Sequence, residues 1–383
     1  MNLKKKIAII GANEFQNPLI LKAKELGYET HVFSWGFDDI GQKTADYFYS
    51  IDIKKMDEIL NVCKKIGVSG VCTIASDLAN ITVNYVSNKL GLTSNSNHCL
   101  SVSTNKYLMR EAFKEKNIPS TGYLLCDENY DINSINLKFP LIVKPTDRSG
   151  SRSITKVDNK NDLELAVQEA IDSSFEKKAI IEEYIEGSEY SVECISFEGV
   201  HTLLAITKKY TTGAPKFIEV GHMQPSGLSS ELADKAKEIV LKALDGLEIK
   251  YGASHSEFKI DEKGNIKIIE IGSRMGGDCI GSDLVEISTG YDFLKMVIDV
   301  SCGNKPDFKK SDEANNCAIK FILNENDLNK LKFLQENYSK NIYKISDIEP
   351  FTHEVSDSSS RFGYYILQWN KDEGFIDVFN TVI

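Results

Sequence analysis

The chain opens on a short, nearly continuous apolar run over residues 5–12, followed by an amphipathic stretch over 19–27 and a second apolar run over 30–35. A continuous run reads as a strand buried on both faces, and apolar residues three and four apart read as a helix packed on it. Strand, helix and strand in that order begin a βαβ unit. The pattern repeats as a helix over 56–66, a strand over 70–75 and a helix over 77–90, which predicts a small parallel α/β domain ending near residue 95. The first turn, Gly11 to Phe15, lacks the glycines of GxGxxG, so no dinucleotide fingerprint is present there.

After Thr104 the pattern changes. A helix is expected over 106–116, then strands over 139–144 and 153–157 joined by a polar loop at 147–152, a helix over 162–173, and strands over 178–185 and 190–197. Residues 200–300 add further strands and helices over 229–244 and 291–302, and the tail from 306 carries strands over 318–323 and 363–368. The expected fold class is therefore α/β and α+β, multidomain: an N-terminal domain over 1–95, a central region over 96–305 and a C-terminal α+β segment over 306–383 packed on that core. No internal repeat or low-complexity tract interrupts it.

Composition narrows the function classes. A chain of 383 residues suits two to four domains, so a site in a cleft between them is the default expectation. The net charge of -11, from 56 acidic and 45 basic residues, disfavours nucleic acid as a partner. No apolar stretch approaches the roughly 18 residues of a membrane span. The lysine-rich start reaches only Ile7 to Ile10 before Gly11, too short for a secretory core, so the expected location is cytoplasmic. Eight scattered cysteines with no CxxC pair read as reduced core residues.

Two glutamates stand out between His255 and Glu270. Strand-type residues flank a turn at Gly264, which is a hairpin signal. A turn centred between Lys263 and Gly264 sets Glu257 directly opposite Glu270. Opposed residues on one sheet face lie about 4.5–5.5 Å apart at Cβ, and like charges there destabilise the pair. A shared proton or a hard cation would relieve the repulsion, and Mg²⁺ commonly combines one or two carboxylates with nucleotide phosphates. A solvated surface pair is the ordinary alternative.

A second cluster is basic. Lys144 follows the apolar run from Phe139 and should be buried, so its ammonium needs an anion. The loop beyond it holds Arg148, Ser149, Gly150, Ser151 and Arg152, a flexible turn whose hydroxyls, guanidinium groups and backbone N–H donors suit a lid over phosphates. Lys106 opens a helix behind Ser103, Thr104 and Asn105, where capping residues and exposed N–H groups favour an anion. Taken singly, such a loop is usually only a loop, and Lys106 reads as a solvated lysine.

In their order along the chain these segments resemble the ATP-grasp superfamily, from about residue 5 to at least 305. The resemblance implies an ATP-grasp fold with an N-terminal parallel α/β (pre-ATP-grasp) domain and a lid subdomain at about 120–182. It implies ATP as the nucleotide, with Lys106 and Lys144 on its phosphates and Ser149, Gly150 and Ser151 in the covering loop. Glu182, with the backbone around Glu183 and Ile185, would hold the adenine edge, and Glu189 the ribose. Glu257 and Glu270 fall at the two Mg²⁺-ligand positions, Mn²⁺ being the alternative metal, and Arg274 at the arginine that faces the acyl phosphate or carboxylate. Two positions depart from the pattern. Asn105 stands where Asp is usual, and Gly272 stands where Glu-x-Asn-x-Arg has Asn, which removes a third ligand near the metal.

Within the superfamily, the segment from Phe217 to Ser226 is similar to the amino-acid ligases, in which a glutamate and a histidine three residues on face the amino-acid substrate; here these are Glu219 and His222. A carboxylate in a cleft pairs with an ammonium, and an imidazole beside it orients or accepts a proton, although a lone histidine after a strand is more often structural. The implied activity is ATP-dependent carboxylate–amine ligation through an acyl phosphate, with ADP and phosphate released and small-molecule carboxylate and amine partners, amino acids among them. A homodimer is a frequent assembly of paired α/β domains of this type. One alternative is an enzyme similar to the carbamoyl-phosphate synthetase large subunit, acting on bicarbonate or carbamate; the single copy of the motifs ranks it lower, since that subunit has two. The other is a non-catalytic ATP-binding regulatory protein, which both glutamates, both lysines and Arg274 argue against. Asp278, just beyond Arg274, reads either as a selector of a basic side chain or as an exposed cap.

Overall fold

The apolar runs at the start of the chain form the middle of a parallel sheet. In this computed structural model, which describes residues 4–36, 39–132, 135–150, 152–311, 314–370 and 374–383, Lys6–Ile10 pairs in parallel with both Glu29–Ser34 and Gly70–Cys72. Ile7 and Ile9 pack with Leu19 and Ile20 of the helix Asn17–Glu25. Ala8 and Ile10 pack on the other face with Ile59 and Val86, from the helices Met56–Ile66 and Asp77–Leu90. Helices on both faces explain why these strands do not alternate in polarity. The fourth strand, Tyr47–Ser50, is a half-exposed edge with no long apolar run, and the sequence pattern does not reveal it. The strand expected over 70–75 ends at Cys72 because the chain then leaves the sheet: Ala75 has φ +59° and donates its N–H to the Met275 carbonyl at 3.2 Å.

The segment before Lys106 also differs from expectation. It is a helix, Asn97–Thr104, capped by Ser96 Oγ on the Cys99 N–H. Asn105 then caps the next helix, Lys106–Glu115, accepting from the Tyr107 and Leu108 N–H groups at 3.0 and 3.1 Å.

Two antiparallel sheets follow. The smaller has the order Tyr123–Cys126, Ala179–Glu183, Leu141–Pro145, Thr155–Val157, and the helix Leu163–Ser173 covers its apolar face. The larger has eight strands, in the order Ile266–Gly272, Gly252–Ile260, Ser188–Phe197, Val200–Thr211, Glu219–Gln224, Asn316–Ile322, Gly363–Trp369, Ile342–Ile345. Strands from beyond residue 306 therefore continue the central sheet. In Ser188–Phe197, Tyr190, Val192 and Cys194 pack with Val240 and Ala243 of the helix Ser230–Gly246. The period of two then sends Glu189, Ser191 and Glu193 to the opposite face, opposite Lys259, Glu257 and His255 of the neighbouring strand.

Glu257 and Glu270 are directly paired across the hairpin. The turn that delivers them differs from the one read from sequence. Ile260 faces Ile266, so the turn is centred on Lys263, where Asp261 Oδ1 accepts from the Lys263 and Asn265 N–H groups at 2.9 and 2.8 Å. That register alone would miss the pairing by one residue. A β-bulge after Glu257, with Ile269 as the extra residue, restores it.

Candidate active site

The smaller sheet and the large sheet face each other across a pocket walled by Ile142, Ile154, Phe217 and Ile269, with residues 183–185 along one rim. Lys144 is 4% exposed, and the anion its burial demands is Glu182, 2.7 Å from Nζ. Arg110 Nε stands 2.7 Å from the other carboxylate oxygen. Burial opposes the Glu182 charge, but Arg110 and Lys144 together hold its pKa below the ordinary value. Glu182 is thus engaged within the protein and fixes Lys144 in place. On the rim, the Glu183 N–H donates to the Gly122 carbonyl, and its own carbonyl accepts from Thr121 Oγ1 while keeping a second lone pair. Ile185 and Glu189 line the same pocket. Lys259 Nζ stacks over the Tyr184 ring at 4.7 Å beside it.

Lys106 is buried, contrary to its reading as a solvated lysine. Nζ donates to the Arg148 carbonyl at 2.7 Å and to Glu270 Oε1 at 2.9 Å, so one ammonium ties the covering loop to the paired carboxylates. The base of that loop is anchored as well. Asp147 accepts from the Phe175 and Glu176 N–H groups at 3.2 and 2.8 Å, and the Arg148 guanidinium lies 4.4 Å over the Phe175 ring. Ser149 and Gly150 line the pocket, Gly150 in open space with φ +73°; Ser151 lies outside the described residues.

Sequence reasoning missed the residue at the centre of the site. Lys209 is 3% exposed at the side chain and meets three carboxylates: Glu189 at 3.2 Å, Glu219 at 3.8 Å, and Glu257 in direct contact. Burial works against its charge, yet Glu257, Glu189 and Glu219 raise its pKa well above the ordinary value. The same contact, against the penalty of burial, holds the Glu257 carboxyl well below the usual carboxylate range, with His255 adding to the effect. The signal in sequence was an inward-facing lysine at the end of the alternation Ala205, Thr207, Lys209.

Glu193 was missed for the same reason, as an acid on the inward side of an apolar strand. It is fully buried, binds His255 Nδ1 with one oxygen and accepts the Gly276 N–H at 3.0 Å with the other. His255 Nε2 in turn lies 3.2 Å from Glu257 Oε1. Position 276 must be glycine, because a Cβ there would fall 2.6 Å from Glu193 Oε1 and 2.7 Å from His255 Nδ1. Burial disfavours the imidazolium, but Glu193 and Glu257 lift the His255 pKa to about 9. An unfolded histidine titrates near 6.5, so the stability this group contributes is complete below about pH 6.5 and is lost as pH rises through 9. The contribution is on the order of 3 kcal/mol. Urea unfolding should therefore separate wild type from Glu193→Gln most at pH 6.5 and least at pH 9.5; an equal gap at both would remove the His255 charge from the account.

Arg274 pairs with Asp77 of the N-terminal domain through Nε at 2.9 Å and a second N–H at 3.0 Å. This bidentate contact explains Gly272, where a Cβ would fall 3.0 Å from Asp77 Oδ1 and 3.2 Å from the Arg274 guanidinium carbon. Asp278 is neither an exposed cap nor a free selector of basic side chains. Arg361 binds both its oxygens, at 2.9 and 2.6 Å, and His222 Nε2 lies 3.4 Å away. Burial outweighs Asp278 at His222 and lowers the imidazole pKa. Glu219 accepts a hydrogen bond from Ser358 Oγ. These groups line a second chamber of about 490 Å³ that adjoins the first pocket and reaches the N-terminal domain.

A cleft between an antiparallel lid and a larger antiparallel sheet, with lysines and paired carboxylates inside, is the architecture of the ATP-grasp fold. The family model of the ATP-grasp domain matches residues 137–282, so the chain contains an ATP-grasp domain. Among curated proteins it is 30% identical over 181 residues to D-alanine–D-alanine ligase B of Chromobacterium violaceum, covering 46% of this chain and 59% of that one. It is 25% identical over 268 residues to the carbamoyl phosphate synthase large chain of Caldanaerobacter subterraneus subsp. tengcongensis, covering 68% of this chain and 24% of that one. The chain thus spans less than two thirds of the length of either relative. The crystal structure of L-amino acid ligase from Bacillus licheniformis matches all of this chain and 98% of its own with a TM-score of 0.82 at 20% identity, a likeness of fold. Among the described residues no helix is long and apolar enough to cross a membrane, and all eight cysteines are free thiols.

Proposed function

We propose that the chain is an ATP-dependent carboxylate–amine ligase that takes an amino acid as one substrate. The observation that carries this reading is the convergence on one cleft of Lys106, Lys144, Glu257, Glu270 and Arg274, from the helix Lys106–Glu115, the smaller sheet and the edge hairpin of the large sheet. The nucleotide would lie between lid and sheet, adenine against Ile142, Ile154 and Ile269 with its edge along 183–185, and ribose near Glu189.

A substrate carboxylate oxygen attacks the γ-phosphorus, the bond to the β-phosphate oxygen breaks, and ADP and an acyl phosphate result. An amine nitrogen then attacks the acyl carbon, loses its proton and expels phosphate, leaving an amide. Lys106, Lys144 and Arg274 supply positive charge where negative charge develops, in a cleft that burial keeps poor in water. Arg148, Ser149 and Gly150 of the covering loop line the cleft and would shield the acyl phosphate from hydrolysis. Glu257 and Glu270 suit Mg²⁺ or Mn²⁺: both are carboxylates, they are cross-strand neighbours, and each now holds a lysine ammonium in the position of a counter-cation. Held by these two glutamates, such an ion would supply positive charge against the nucleotide phosphates. Among the described residues no third acidic, histidine or cysteine ligand completes a ready-made metal site, so phosphate or water would fill the remaining positions.

Glu219 is the proposed anchor for the amino-acid ammonium and Arg274 for its carboxylate, one on each side of Glu257. The three carboxylates around Lys209 outnumber its single charge, which leaves room for a second cation. In Glu219→Ala the amino-acid KM should rise by the equivalent of about 1.5–3 kcal/mol, a lost charged hydrogen bond, with ATP affinity close to wild type. Equal loss for both ligands would move Glu219 out of the amino-acid site. The function itself is tested by ADP release: dependence on added amino acids supports the ligase, whereas dependence on bicarbonate alone, or no turnover, contradicts it.

A further inference from the structure

The second chamber has two unlike walls. Towards the central sheet Arg274 is paired with Asp77 and Arg361 with Asp278, while Glu189, Glu219 and Glu257 share the single charge of Lys209. On the N-terminal-domain side Asp39 is held by Ser34 Oγ at 2.7 Å. Among the described residues that side contributes two charges to the chamber, Asp39 and Asp77, and Asp77 is taken by Arg274. What it offers is apolar surface, from Phe15, Trp35, Ile53 and Leu78. Trp35 is the telling member. It is 53% exposed, although it lines a concave chamber of about 490 Å³, whereas the chain's other tryptophan, Trp369, is buried in the C-terminal core.

An indole left uncovered inside a cavity gains by being covered, and burying a large apolar side chain against it stabilises a complex. The polar ends of an amino acid are accounted for by Glu219 and Arg274 in the proposed function, on which this inference rests. We infer that the amino-acid substrate carries an uncharged, apolar side chain of at least leucine size, seated against Trp35, Phe15 and Leu78 of the N-terminal domain. Trp35 is a specificity-determining residue.

Calorimetric titration of the full chain with a non-hydrolysable ATP analogue and Mg²⁺ tests this. L-Leucine and L-phenylalanine should bind at least about tenfold more tightly than glycine, L-aspartate or L-lysine, tenfold being 1.4 kcal/mol. Trp35→Ala should collapse that preference to within about threefold. Trp369 fluorescence reports that the variant is folded. Aspartate or lysine binding as tightly as leucine, or a preference unchanged in Trp35→Ala, overturns the inference alone. No amino acid binding at all overturns the proposed function and the inference together.

Discussion

Lys209→Met is expected to lower the stability of the protein by about 3 kcal/mol at neutral pH, the lower end of what breaking a buried ion pair costs. Three carboxylates lose a shared ammonium that is almost fully enclosed. The lower end applies because Glu257 keeps His255, Glu219 keeps Ser358, and all three acids retain some contact with the cleft. The pH dependence carries the diagnosis. Since Lys209 depresses the Glu257 pKa, the stability from that contact is present above the ordinary carboxylate pKa of about 4.3 and is lost as pH falls through the folded value. Chemical denaturation should show the wild-type and variant curves furthest apart at neutral pH and converging in acid. Parallel curves would mean that Lys209 contributes packing and not charge.

Glu257→Gln and Glu270→Gln are expected to reduce turnover by on the order of 10²–10³-fold, the loss typical of removing one electrostatic element at a reacting centre. Both glutamines keep the shape of the acid and the cross-strand packing, so folding should survive. Their stability should nevertheless differ. Glu270 releases only Lys106, which retains the Arg148 carbonyl, whereas Glu257 releases Lys209 and His255 together. A steady-state Mg²⁺ titration should show raised metal requirements in both variants. Turnover at wild-type Mg²⁺ levels in either one would remove that carboxylate from the metal site.

Local features made much of this legible in advance. The parallel sheet shows in unbroken apolar runs such as Ile7 to Ile10, and the cross-strand pairing of Glu257 with Glu270 shows in the hairpin spacing. Yet the pairing was reached through a turn one residue out of register, corrected by a bulge at Ile269 that no turn signal announces. Tyr47–Ser50 escaped because an exposed edge strand needs no apolar run. The partners of Arg274 and Asp278 escaped for a different reason. Asp77 and Arg361 lie 197 and 83 residues away, and only the closed tertiary structure brings them in. Gly272 illustrates the limit best: in sequence it is a missing ligand, and in three dimensions it is the space that the Asp77–Arg274 pair requires.

The central claim, that a substrate carboxylate is activated by ATP as an acyl phosphate, is tested most directly by isotope transfer. The protein is incubated with ATP, Mg²⁺, an amine acceptor and an amino acid labelled with ¹⁸O in both carboxylate oxygens, and the inorganic phosphate is analysed by mass spectrometry. The oxygen that attacks the γ-phosphorus leaves with the phosphate when the amine arrives, so the account predicts one ¹⁸O in each phosphate released with the amide. Phosphate released without ¹⁸O would contradict it.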